Sequence, residues 1–283
     1  METEVTIVNA FASNGGGGNP AAIVLDADSL THDQKQGIAA QVGLSETAFV
    51  SSSKVADVKL EFFTPTRQIP HCGHATIATF SFLRQLGRTA GKDRLHKETI
   101  DGTREILYMD DKVFMEQRSP VFSSPHEDDK KVIISALGAG SAYEPVIVNT
   151  GNSFIVLEVE SEAVLAGLTP DFKTLTDLSE KYSLVGFYVF LSTGPSSATT
   201  RMFAPAYGIH EESATGMAAG PLACYLDKFK TSGTRFDIEQ GRYMEIPSVS
   251  SIEVRLEKAG NRVARLFAGG IGVVKEKRLI KIN

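Results

Sequence analysis

The sequence predicts an α+β protein of two similar halves, each a mixed β-sheet wrapped on its own central apolar helix. Three observations lead there. First, Cys72-Gly73-His74-Ala75-Thr76 runs into Ile77-Ala78-Thr79-Phe80-Ser81-Phe82-Leu83, and Ser213-Ala214-Thr215-Gly216-Met217 runs into Ala218-Ala219-Gly220-Pro221-Leu222-Ala223-Cys224-Tyr225-Leu226. Both are polar turns feeding helices that are apolar nearly all round, and such helices are buried. Second, the interval from His74 to Met217 is close to half of the 283 residues. Third, the same order of elements occurs twice along the chain.

In the first half, Val5-Thr6-Ile7-Val8 is strand-like. Gly15–Gly18 then turns the chain into a second strand over Ala22–Leu25. His32–Val42 is an amphipathic helix, and Ala48–Val50 and Val58–Phe63 are strands. The apolar helix follows from His74 to about Leu86 and stops near Gly87. Ile100–Phe114 is a hairpin around Asp110-Asp111. Glu116–Lys131 holds Pro120, Ser123, Ser124, Pro125 and a run of charges, and is expected to be the inter-domain linker, with a helix starting near Pro125.

The second half repeats the order. Strands are expected at Val146–Val148 and Phe154–Leu157, a helix at about Asp171–Tyr182, and strands at Gly186–Leu191 and Thr199–Phe203. The second glycine-led helix comes next. Pro221 leaves two options for it: a start near Gly220 with Pro221 in the first turn, or a kink. From Thr234 the chain alternates like strands and turns at Ala259-Gly260-Asn261. The domains are therefore 1–118 and 119–271, with a strand at about 272–283 able to pack back on the first. The basic Lys275–Lys281 stretch is the solvated side of that strand.

A net charge of −5 argues against a nucleic-acid partner. No apolar run reaches the ~18 residues of a membrane helix, and no basic-then-apolar leader opens the chain. Two cysteines, Cys72 and Cys224, are too few for a disulfide framework, so a cytoplasmic location is expected. Cys224 falls mid-helix, as core packing.

Each buried helix start leaves its first amides without helical partners. Two such starts facing each other would hold an anion such as a carboxylate. Gly15–Gly18 lacks the residues of a phosphate loop and is expected to be a turn. Glu46, just before an apolar strand, is on residues alone a carboxylate at a strand start. In an apolar cleft, burial would raise its pKa and fit it for acid–base work. His74 stands where it could donate to a carboxylate or move a proton. His71 and His74 sit beside a single thiol, which is not a metal-ligand spacing, so no metal is expected.

Six segments, in order, carry a resemblance. They are Gly18-Asn19-Pro20-Ala21-Ala22, Leu44-Ser45-Glu46-Thr47-Ala48-Phe49-Val50, Phe62-Phe63-Thr64-Pro65, Cys72-Gly73-His74-Ala75-Thr76, Arg201-Met202-Phe203-Ala204-Pro205 and Ala214-Thr215-Gly216. Glu239-Gln240-Gly241-Arg242 and Gly269-Gly270 extend the match. Together they resemble the PhzF-like isomerases of phenazine biosynthesis, which share the diaminopimelate epimerase fold. The resemblance implies catalysis without metal or organic cofactor on a small carboxylate-bearing substrate, in a cleft between the domains. A homodimer is kept as an open expectation for the assembly. It gives Glu46 the role of catalytic acid/base, with His74 and Glu212 assisting. It gives Asn19, Cys72, Gly73, Ala75, Ser213, Thr215, Gly216 and Met217 contact with substrate.

The second segment departs from the family pattern Glu-Asp-Pro-Ala-Thr-Gly-Ser. Here Glu212 replaces Asp, Ser213 replaces Pro and Met217 replaces the last Ser. That implies a substrate other than the hydroxylated dihydro-anthranilate of phenazine synthesis. In the racemases and epimerases of the same fold, a Cys at the position of Cys72 is one of two thiol bases. The second would fall at Ser213, so Cys72 is expected to line the substrate rather than act as a base. A racemase, epimerase or dehydratase using Cys72 remains an alternative, as does a catalytically silent binder of small anions.

Overall fold

The computed structural model describes residues 2–140, 142–194 and 197–282. Met1 and Asn283, the outer ends of the first-domain assignment, lie outside them. The chain divides into two compact units. One is Met1–Glu116 with Gly269–Asn283, and the other is Gln117–Ala268.

In the first unit β1 (Glu2–Ala10) lies antiparallel between the C-terminal strand Gly272–Lys281 and β2 (Asn19–Val24). The turn into β2 needs glycine at one point. Gly18 has φ +83°, and a Cβ there would meet Ala10 O at 2.5 Å. Helix α1 (His32–Val42) crosses to β3 (Thr47–Ser51), which runs parallel to β2. Its start is a capping box. The Thr31 side chain accepts from Gln34 N–H, while Gln34 Oε1 accepts from Thr31 N–H at 3.0 Å. β4 (Val58–Phe63) is antiparallel to β3 and also pairs with the short β5 (Gln68–Ile69). Helix α2 (Gly73–Gln85) then crosses to β6 (Arg94–Thr99), parallel to β4. β7 (Gly102–Met109) and β8 (Lys112–Gln117) complete an antiparallel hairpin.

Every residue of α2 from Gly73 to Leu83 is buried. The helix packs on β1, β2, β3 and the C-terminal strand. The opposite sheet face carries Ile7, Val24, Phe49 and Phe63 against Ile38 and Ala39 of α1. β2 is thus covered on both faces, which is why it is a nearly continuous apolar run.

The second unit repeats this order. β9 (Val121–Ser123) and β11 (Ser153–Glu158) flank β10 (Val146–Asn149), both antiparallel to it. Helix α3 (Glu127–Leu137) lies between β9 and β10 in sequence. Helices α4 (Glu162–Ala166) and α5 (Phe172–Tyr182) cross to β12 (Leu184–Gly194), parallel to β11. β13 (Ser197–Phe203) is antiparallel to β12, and helix α6 (Gly216–Phe229) crosses to the parallel β14 (Arg235–Gln240). β15 (Ser250–Ala259) pairs with β14 and turns through Gly260-Asn261 into β16 (Arg262–Gly270). Ile155, Leu157, Phe187 and Val189 pack under α3 and α5. Strand alternation sends Val156 and Phe190 to the other face, where Phe190 meets Tyr225 of α6 edge-on. Helix α1 therefore corresponds to α5 and α2 to α6, by their places between parallel strands.

Two expectations change. The stretch expected as linker contains strand β9, paired with β10, and a helix that begins at Glu127, near Pro125 as expected. Helix α6 runs through Pro221 from Gly216, so a start near Gly220 is wrong. Proline has no N–H, so the Met217 carbonyl lacks its usual helical donor. The stretch before Ile100, which carried no expectation, is strand β6. Among the described residues no helix is long and apolar enough to cross a membrane.

Candidate active site

Helices α1, α4 and α5 begin with a side chain capping their first amides, whereas α2, α3 and α6 do not. Cys72 is the N-cap of α2 and Thr215 that of α6. In α2 the Ala75 amide already bears on Cys72, and in α6 the Ala218 amide donates to Thr215 O at 3.0 Å, so a ligand anion would compete for part of each first turn.

In the first unit the structure brings Glu46, Cys72 and His74 together. Glu46 ends the loop before β3, and its backbone is fixed where Ala22 N–H donates to Glu46 O at 3.1 Å. β3 packs on α2, which carries His74 in its first turn. His74 Nε2 lies 3.2 Å from Glu46 Oε2, an ion-pair contact rather than an aligned hydrogen bond. On the other side of the ring, His74 Nδ1 lies 3.6 Å from Cys72 Sγ. All three side chains are buried.

Burial alone raises the Glu46 carboxyl, as the sequence led us to expect. The neighbouring His74 ring outweighs it, with the Ser45 side chain helping, and Glu46 sits below its ordinary value. This corrects the expected raised pKa: the buried cation next to the carboxylate decides the sign. Burial alone would depress His74, but Cys72 and Glu46 more than reverse this and hold it well above the ordinary imidazole value. Burial pushes the Cys72 thiol up, against the opposing pull of His74. The directions favour a carboxylate on Glu46 and a proton on the His74 ring.

One ligating atom from each of these residues lies within 4.8 Å of the others. The sequence spacing missed this because Glu46 comes from a different element. The trio already spends both ring nitrogens of His74, one on the thiol and one on the carboxylate. A single ion bound by all three would have to displace at least one of those contacts.

Gly73 and Ala75 are buried in the same first turn of α2. Asn19 is buried as the first residue of β2, opposite Ala10.

In the second unit Glu212, Ser213 and Thr215 form one knot with two residues the motif search left without a role. Gln240 Nε2 donates to Glu212 O (2.6 Å) and Thr215 Oγ1 (3.1 Å), and its Oε1 accepts from Thr215 N–H (3.1 Å) and Tyr188 O–H (2.9 Å). Ser250 Oγ donates to Ser213 O at 2.8 Å. The Glu212 carboxylate accepts from Thr215 Oγ1. Gly216 O accepts from Gln117 Nε2 at 2.8 Å. That close approach needs Gly220, where a Cβ would meet Gln117 Oε1 at 2.2 Å. Met217 Sδ accepts from Asn152 Nδ2 at 3.4 Å. Cys224 is buried mid-helix with its thiol pushed up to about 12 by burial, as a packing residue should be.

The sequence pattern of the phenazine biosynthesis-like protein family (PhzC-PhzF) matches residues 8–278. The chain belongs to this family. It is 34% identical to the trans-2,3-dihydro-3-hydroxyanthranilate isomerase of Pseudomonas aeruginosa, over 94% of this chain and 95% of that one. It is 32% identical to an uncharacterized isomerase of Clostridium acetobutylicum, over 96% and 97%. A crystal structure of the Bacillus anthracis phenazine biosynthesis protein of the PhzF family superposes with a TM-score of 0.87 at 25% identity, covering both chains completely. As a PhzF-family member the protein is an isomerase-type enzyme.

Sequence reasoning also missed Lys97 of β6, a fully buried lysine in the first unit. A signal was present. Leu95, Lys97 and Thr99 fall on one face of β6, and all three are buried.

Proposed function

We propose that this PhzF-family protein moves a proton along a small unsaturated carboxylate, with Glu46 removing and returning it. The observation that carries this reading is the buried Glu46–His74 pair at the uncapped start of α2. Glu46 takes a proton from a carbon made acidic by an adjacent unsaturated group. The electron pair moves into the substrate's π-system, and Glu46 becomes the carboxylic acid. It then returns the proton to another carbon of that system, so the double bond shifts and nothing is consumed. The amides around Gly73–Ala75 are the place for the substrate's carboxylate or its developing negative charge.

A carboxylate held below its ordinary pKa is a weak base. His74 resolves this. As its imidazolium turns to the negative charge growing on the substrate, Glu46 loses its partner and burial raises its pKa. Base strength then rises as the reaction proceeds. From the resemblance we assign Glu212 to assist proton movement, and Asn19, Ser213, Thr215, Gly216 and Met217 to substrate binding. No step requires a metal or organic cofactor.

The contact of Cys72 Sγ with His74 favours one second reading, a thiol-based racemase or epimerase. It needs a thiolate, and burial opposes one. Proton exchange separates the readings. A panel of unsaturated carboxylic acids, trans-2,3-dihydro-3-hydroxyanthranilate among them, is incubated in heavy water and followed by proton NMR. Exchange lost in Glu46→Gln and kept in Cys72→Ser supports the isomerase. The reverse supports the racemase, and no exchange across the panel points to a binder of small anions.

A further inference from the structure

Lys97 is 0% exposed, yet among the described residues no carboxylate lies at ion-pair distance from its Nζ. It donates to Thr76 Oγ1 at 2.6 Å, lies 3.3 Å from His71 Nδ1 and 3.7 Å from Met115 Sδ, and sits 5.4 Å from the Phe62 ring centre. A buried ammonium without a counter-ion is costly, and folds keep one where it has work to do. The two polar contacts are not scattered. Thr76 Oγ1 passes the bond on, donating to Cys72 O at 2.7 Å. His71 directly precedes Cys72. One nitrogen therefore ties down both flanks of the turn that carries Cys72, Gly73 and His74.

We propose that Lys97 is a positioning residue for the Glu46–His74–Cys72 chain, clamping the turn that aims His74 and biasing, through its charge, where the protons of that chain sit. This rests on the reading of Glu46 and His74 as the acid–base pair. The clamp explains a lysine here. Its Nζ has three donors on a flexible stem, enough to reach His71 and Thr76 from a neighbouring strand. The charge explains the coupling. Burial lowers Lys97 to about 7, with Arg104 of β7 adding to the drop and Cys72 and Asp101 opposing it. Its proton therefore comes and goes near neutral pH. His71 is kept neutral first by burial and then by the Lys97 and Arg104 charges, so its Nδ1 is free to accept from the ammonium. A protonated Lys97 disfavours a second positive charge on His74 and favours a negative one on Cys72. A neutral Lys97 relaxes both.

The six histidines make this visible without any substrate. Protein labelled with nitrogen-15 histidine is titrated from acid to alkaline pH, and the ring nitrogens are followed by long-range proton–nitrogen NMR in wild type, Lys97→Met and Thr76→Val. In wild type, the His71 Nδ1 signal inflects near the Lys97 pKa although the ring gains no proton. In Lys97→Met that inflection vanishes, and the His74 midpoint moves up by about half a unit as a nearby like charge is removed. In Thr76→Val the His71 inflection persists while the His74 signals shift, because the clamp is cut and the charge kept. Should Lys97→Met fail to fold, the wild-type His71 inflection and the Thr76→Val shifts decide. A His74 titration identical in wild type and both variants, or a flat wild-type His71 signal through neutral pH, overturns the proposal. If His74 responds as described but Glu46→Gln keeps full proton exchange, the clamp stands and the acid–base reading falls.

Discussion

Glu46 and His74 hold each other in opposite charge states, with 3.2 Å between Oε2 and Nε2 and both side chains buried. Neither state is what burial alone would give. Glu46 owes its state to His74, and His74 owes its state to Cys72 and then to Glu46, so removing Glu46 or His74 should shift the protonation of the other.

The first consequence is a pH window. Glu46 is held below 4.5, so its contribution to stability is present above about that pH and is lost as pH falls through the folded value. His74 is held above 6.5, so its contribution is full below about that pH and is lost as pH rises through the folded value. The two overlap fully between about 4.5 and 6.5. The difference in melting temperature between wild type and Glu46→Gln should be largest there and shrink on both sides. We expect a loss of about 2 kcal/mol in that window. This is less than the roughly 3–5 kcal/mol of stranding a permanent buried charge, because His74 can release its proton. A difference that grows steadily toward alkaline pH would contradict the assigned charge states.

The second consequence is kinetic. Glu46→Gln keeps the size of the side chain and removes the proposed base. On any acid that shows exchange with wild type, the variant should be slower by at least ~100-fold, the usual scale of general acid–base catalysis. Circular dichroism at neutral pH should match wild type. Near wild-type exchange in Glu46→Gln would move the proton transfer to another residue.

Much of the fold was legible because its decisive signals are local. A helix that is apolar on every side announces burial, and the Thr31–Gln34 capping box fixes the start of α1 at the expected residue. β6 was not legible, because its buried face reads Leu95, Lys97, Thr99, and a lysine on the inner face hides the alternation. β9 was hidden for another reason: three residues between prolines carry no periodicity, and only pairing with β10 makes them a strand. In the site, the identities of Glu46, Cys72 and His74 were in the motifs. The sign of the Glu46 shift was not, since burial can be inferred from neighbours in sequence but a partner 28 positions away in the chain cannot. Gln240 belongs to the same class, as its four bonds around Thr215 come from a distant strand.

A third prediction concerns metals. Although Glu46, Cys72 and His74 cluster tightly, each contact of the His74 ring is already used within the trio. Dialysis against chelator should leave exchange activity and melting temperature unchanged, and added zinc should lower activity by breaking the Glu46–His74 contact. Elemental analysis showing one tightly held ion per chain, with loss of activity on its removal, would overturn this.

The last prediction concerns the altered segment before α6. Glu212 carries one methylene more than the Asp of the family pattern, and its carboxylate is engaged by Thr215 Oγ1. Met217 stands in place of Ser, and its sulfur accepts from Asn152 Nδ2 at 3.4 Å. A serine hydroxyl there would offer a strong donor, whereas a thioether offers a weak acceptor and a flexible apolar chain. A site built to hydrogen-bond a hydroxyl rejects its absence strongly, but an apolar wall discriminates only weakly. With Met217 assigned to substrate binding, the protein should turn over trans-2,3-dihydro-3-hydroxyanthranilate poorly, and prefer a carboxylate with an apolar group facing Met217. The Glu212→Asp/Met217→Ser double variant restores the family pattern at both positions and should gain activity on that compound by about 10-fold or more, the worth of roughly one hydrogen bond to substrate. Asn152→Ala should leave that gain intact, because its partner sulfur is gone in the double variant. High wild-type turnover of the hydroxylated compound, unchanged in the double variant, would show that these two departures do not set specificity.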